Sequence, residues 1–140
     1  MRTALDSSVL IQLYRKQPGW EVWRELLAKA ATEGELIISP VAFAEYSTAY
    51  PTVASVQADL ARIQVIYEPI KPEAAYLAGQ VFLRYRREGG PRQHLIPDFL
   101  IAAHASTQAD RLAAIDRGYL RAYFPALPLL QPPCLISPIL

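Results

Sequence analysis

Four acidic residues, Asp6, Glu45, Asp98 and Asp116, each stand in a short apolar segment that offers a carboxylate little company but other carboxylates. Asp6 closes Thr3-Ala4-Leu5, Asp116 follows Leu112-Ala113-Ala114-Ile115, Asp98 sits behind Pro97, and Glu45 lies between Ala44 and Tyr46. Taken singly, an aspartate before Ser-Ser or after a proline reads as a turn residue or a helix start. Taken together in one cleft, several carboxylates repel one another unless protons or cations compensate. A donor set of hard oxygens, with one cysteine and two histidines in the whole chain, points to Mg²⁺ or Mn²⁺ and away from zinc. The chemistry such a set serves is hydrolysis of a phosphodiester.

The elements around these acids alternate. Residues 3–5 read as a strand, with Ser7-Ser8 as the N-cap of a helix running through Tyr14. Trp20 to about Glu33 carries Val22, Trp23, Leu26, Leu27 and Ala30 at helical spacing and meets Gly34 as a C-cap. Leu36-Ile37-Ile38 is a strand, and Ser39-Pro40 opens a helix that ends near Tyr50-Pro51. A helix over 52–63, a strand at Val65-Ile66-Tyr67 and a long helix from Pro72 to Gly89-Gly90-Pro91 follow. Pro97 begins an apolar helix reaching Gln108, Leu112–Ile115 is a strand, Gly118–Phe124 a short helix, and Leu127–Leu130 the last strand.

Short apolar strands between helices predict a three-layer α/β/α sandwich around a central, mostly parallel sheet. Ligands in such sheets bind beyond the carboxyl ends of the strands. Asp6 and Asp116 follow strands and Asp98 and Glu45 lie near helix starts, so all four can converge on that edge. The expected organisation is one domain over residues 1–132 and an irregular, proline-rich tail over 133–140.

Composition narrows the setting. Of 140 residues, 52% are apolar and 19% charged, which is a globular balance, and no apolar run reaches membrane-spanning length. Asp6 interrupts any export signal at the start, and the single Cys134 cannot pair within the chain, so a reducing cytoplasm is expected. Net charge is only +1, but eleven of the fourteen basic residues are arginine. Arg84, Arg86, Arg87 and Arg92 fall within nine positions, a local patch suited to phosphates. Its bland counterpart is a helix C-terminus whose dipole favours cations. His94 and His104 read as structural or incidental groups. Tyr14, Trp20, Trp23 and Phe43 read mainly as core, with a possible share in an apolar groove.

Four segments, in order, resemble the PIN-domain family, and within it the VapC-type ribonuclease toxins: Leu5-Asp6-Ser7-Ser8-Val9-Leu10-Ile11, Ser39-Pro40-Val41-Ala42-Phe43-Ala44-Glu45, Ile96 to Ala105, and Ile115 to Pro125. The resemblance implies that Asp6, Glu45, Asp98 and Asp116 form the metal site, with Ser8 as a supporting hydroxyl. It also implies endonucleolytic cleavage of RNA, a homodimer, and a cognate antitoxin that blocks the cleft. The Arg84, Arg86, Arg87 and Arg92 patch precedes Asp98 by a short loop, a position from which it would hold RNA phosphates. One departure is Ala114, where many relatives carry Thr or Ser two residues before the last Asp. A PIN-like nuclease of RNA processing with no antitoxin, or a non-catalytic binding module on the same fold, are the alternatives to the toxin.

Overall fold

The chain is described from a computed structural model, over residues 1–90 and 95–133. Arg92, His94 and Cys134, and the tail beyond Pro133, lie outside the described residues. Among the described residues five strands and seven helices follow one another in the order expected. They are β1 (Thr3–Leu5), α1 (Ser7–Arg15), α2 (Trp20–Glu33), β2 (Leu36–Ile38), α3 (Pro40–Ser47), α4 (Val53–Arg62), β3 (Val65–Tyr67), α5 (Pro72–Arg87), α6 (Leu95–Gln108), β4 (Arg111–Ala113), α7 (Tyr119–Tyr123) and β5 (Leu129–Leu130).

All strand pairs are parallel, in the order β3-β2-β1-β4-β5. β1 is central: Thr3 registers with Leu36 on one side and with Arg111 on the other. The chain builds outward from β1 to β3 and then crosses back to place β4 on the far side of β1. Order therefore reverses between β1 and β4, and a cleft opens at the carboxyl ends of strands beside such a switch. Right-handed crossovers put α1–α4 on one face and α5–α7 on the other. In keeping with this, α1 packs on α2 and α3, and α5 on α6.

Apolar burial holds the layers together. Every residue of β1 and β2 is buried, as in strands covered on both faces. β3 is an edge strand, and its Ile66 and Tyr67 are about half exposed. On α2 the buried residues are Trp23, Leu27 and Ala30, the i, i+4, i+7 stripe of an amphipathic helix. Trp23 is 1% exposed, so it is core and takes no part in a surface groove, whereas Tyr14 is about half exposed. Tyr46 and Tyr50 both donate to Asp59 Oδ2, which ties α3 to α4.

Several boundaries differ from the sequence expectation. Asp6, and not the serine pair, takes the N-cap position of α1, with extended backbone; Ser7 and Ser8 fall inside the first turn. α3 stops at Ser47, and α6 starts at Leu95, two residues before Pro97. Proline is tolerated there because a first-turn N–H has no intrahelical partner to lose. β4 is shifted to Arg111–Ala113, so Asp116 stands three residues beyond its strand.

Candidate active site

The first acid is placed by the central strand. Asp6 directly follows β1, and its backbone N–H donates to the Ala113 carbonyl of β4 at 3.0 Å, which fixes it at the switch point. The Ser8 hydroxyl donates to Asp6 Oδ2, so Ser8 stands where a supporting hydroxyl was expected. Its neighbour does something the sequence reading missed. Ser7, 8% exposed, donates from Oγ to Glu45 Oε1 at 2.7 Å. Each serine thus holds a different acid, and α1 and α3 are joined at the cleft.

Glu45 arrives on α3, which starts immediately after β2 with Ser39 as N-cap, its side chain accepting from the Ala42 N–H. α3 also packs on α6, which brings Asp98 into range. Asp98 lies in the first turn of α6. Burial pushes its carboxyl above the ordinary carboxylate range, and the charges of Asp6 and Glu45 push the same way. The Tyr119 hydroxyl and Arg117 pull it back. Tyr119 is itself driven upward, by burial and then by Asp98 and Asp6, and therefore stays protonated beside the carboxylate. Asp6, Glu45 and Asp98 are one electrostatic group.

Asp116 is held in its own turn. The Gly118 N–H donates to Asp116 Oδ1 at 2.8 Å, and Gly118 adopts φ +103°, a conformation glycine takes without a Cβ penalty. Among the described residues Asp116 Oδ2 is buried with no hydrogen-bond partner, and the exposed Arg121 approaches it at 3.5 Å. Ala114, buried, brings no hydroxyl to this turn.

Among the described residues no three His, Cys, Asp or Glu side chains already close around a single ion position. Donor type and charge nevertheless suit a hard divalent cation. The set is all oxygen, one carboxyl is raised by burial and then by its acidic neighbours, and among the described residues one buried carboxylate oxygen has no hydrogen-bond donor.

The remaining sequence candidates divide. Arg84 stacks on Tyr123, and Arg86 donates to the Gly90 carbonyl at 3.1 Å; Arg87 ends α5. His104 is fully buried, as a structural group should be, but among the described residues neither ring nitrogen has a hydrogen-bond partner. Glu68 Oε2 is 3.5 Å from its Nε2, yet burial keeps the imidazole below its ordinary pKa and neutral. Two apolar grooves, of about 360 and 380 Å³, lie against α2 and α4 and contain none of the four acids.

The family model for the PIN domain matches residues 3–125. No curated protein sequence matches the chain. Among solved structures, the fold is similar to one in VapBC2 from Rickettsia felis bound to a DNA fragment from its promoter. That match has 18% identity and TM-score 0.71, covering 93% of this chain and 98% of that one. VapBC-1 from nontypeable Haemophilus influenzae matches at 18% identity and TM-score 0.66, covering 94% and 98%. VapC20 from Mycobacterium tuberculosis, a toxin that cleaves the sarcin–ricin loop, matches at 16% identity and TM-score 0.61, covering 86% and 94%.

Proposed function

The chain belongs to the PIN-domain family, and from that premise we propose that it is a Mg²⁺- or Mn²⁺-dependent endoribonuclease, the cytoplasmic toxin of a toxin–antitoxin pair. The observation that carries the nuclease reading is the half-buried Asp98 carboxyl, raised by burial and by the charges of Asp6 and Glu45 at the sheet's switch point. A half-buried cluster of like charges is costly as structure and useful as a cation seat.

Asp6, Glu45, Asp98 and Asp116 would hold the ion, directly or through water, and a bound divalent ion supplies charge stabilisation for displacement at phosphorus. The residues of the chain do the positioning. Ser8 orients Asp6, Ser7 orients Glu45, and Tyr119 lies against Asp98. The Gly118 N–H fixes one oxygen of Asp116 and leaves the other free to accept. Arg86, Arg87 and Arg92 would hold the phosphates of the strand, and Arg84, stacked on Tyr123, would meet the same strand. A homodimer is part of the reading.

The partner reading is supported by the kind of structure the fold resembles. The groove lined by Leu13, Leu27, Ala31, Leu36 and Ile63, with Arg24 and Arg62 beside it, offers a seat for the apolar face of an antitoxin helix. The test is expression in a bacterial host. The wild type should arrest growth, Asp6→Asn should not, and co-expression of the small gene adjacent in the native genome should restore growth and yield a stable complex. A chain that cleaves RNA but neither arrests growth nor co-purifies with a companion is an RNA-processing nuclease instead.

A further inference from the structure

Phe99 follows Asp98 in the chain, is fully buried, and organises a cluster of aromatic rings beside the acids. Tyr119 and Tyr123 lie against it, with ring centroids at 6.2 and 5.6 Å. The two tyrosines are four residues apart on α7, one turn and about 6 Å along the axis. Tyr119 faces Asp98. Tyr123, one turn on, meets Tyr85 edge-on at 5.6 Å and donates from its hydroxyl to Glu88 Oε1 at 2.7 Å, so its ring is fixed at both ends. Over this ring lies the guanidinium of Arg84, 4.8 Å from the centroid, on a side chain that is exposed.

An exposed arginine stacked on a rigid tyrosine is a π-faced, positively charged ledge. Guanidinium planes and aromatic rings both stack on nucleobases, and single strands present bases for such stacking where duplexes do not. The acidic group cannot itself discriminate a base, because it meets the phosphate. The ledge stands one helical turn from Tyr119, the residue that faces Asp98.

Resting on the nuclease reading, we propose that Tyr123 and Arg84 form a stacking subsite for the nucleobase of a residue flanking the scissile phosphate. The ordinary alternative is that the pair merely pins α5 to α7. A structural pin would be indifferent to whether the bound strand carries a base.

The experiment measures binding of a labelled single-stranded 12-mer RNA, and of the same strand made abasic at each position in turn, in an Asp98→Asn background that keeps the strand whole. One abasic position should weaken binding roughly five- to hundredfold, the range of a lost base–aromatic stack. Tyr123→Ala should weaken the intact strand to a similar degree and make that abasic position silent. Tyr123→Phe, which keeps the ring and loses only the bond to Glu88, should bind like its parent. If no abasic position couples to Tyr123→Ala, or if Tyr123→Phe is as impaired as Tyr123→Ala, the subsite is overturned while a chain that binds and cuts RNA keeps its nuclease reading. If the 12-mer is neither bound nor, by the wild type, cut, both fall together.

Discussion

Replacing Ser7 by alanine removes a single hydroxyl, and its consequence can be worked out from the contact it makes. Ser7 Oγ donates to Glu45 Oε1 at 2.7 Å from a position 8% exposed, and no other donor bonds the Glu45 carboxylate among the described residues. Bonds to charged groups contribute about 1.5–3 kcal/mol. Helix α1 should scarcely notice the change, because the N-cap is Asp6 and alanine suits a helix better than serine. The loss therefore falls on the orientation of Glu45, and losing such an outer partner costs roughly 10–100-fold in metal affinity or activity. The assay is Mn²⁺ titration calorimetry beside RNA cleavage and thermal melting. Ser7→Ala should show weakened Mn²⁺ binding, slowed cleavage and an almost unchanged melting temperature, and Ser7→Thr should recover most of both functions. A variant that binds Mn²⁺ and cuts like the wild type would refute the reasoning, and so would one that simply melts early.

Other consequences are more local. His104, held below its ordinary pKa of 6.5 by burial, cannot take up below that pH the proton that the unfolded chain accepts, so stability falls as pH drops through about 6.5. His104→Leu should flatten the stability curve between pH 7 and 5 in chemical denaturation; a slope unchanged from wild type would show that His104 does not govern it. Asp59→Asn weakens the acceptor of the Tyr46, Tyr50 and Arg62 bonds and should cost about 1–3 kcal/mol of unfolding free energy, with a melting temperature unaltered from wild type contradicting it. Replacing Arg86 and Arg87 together by alanine should weaken RNA binding and reduce its salt slope by up to about two, while Mn²⁺ binding stays as it was.

The alternation of elements and the place of Asp6 were legible because each rests on a local signal. The carboxylate after Thr3-Ala4-Leu5 marks a strand end, and Ser39-Pro40 marks a helix start. The capping of α1 was not legible: Asp6-Ser7-Ser8 offers three capping residues in a row, and only the neighbouring strand, through the Ala113 carbonyl bond to the Asp6 N–H, decides among them. Nor was the division of labour between Ser7 and Ser8, since Glu45 is thirty-eight residues from Ser7 and reaches it only once α1 packs on α3. Trp23 shows the opposite case. Its spacing with Leu27 and Ala30 marked a buried stripe, and the structure keeps it wholly within the core. The Arg84–Tyr123 pair joins α5 to α7 across thirty-nine residues, and no pattern in either helix announces it.

Whether Asp6, Glu45, Asp98 and Asp116 hold a divalent ion for RNA cleavage can be decided with a single pair of proteins. Wild type and Asp98→Asn are incubated with a single-stranded RNA over a Mn²⁺ series, with calorimetric Mn²⁺ binding and melting curves on the same samples. The amide keeps the shape of the carboxylate and removes the charge that burial and two neighbouring acids oppose. A metal site at these acids predicts wild-type cleavage that rises with Mn²⁺ and vanishes in chelator, and an Asp98→Asn protein that melts at least as high, binds Mn²⁺ more weakly and leaves the RNA intact. Cleavage undiminished in excess chelator, or an Asp98→Asn variant that cuts as fast as the wild type, would contradict it.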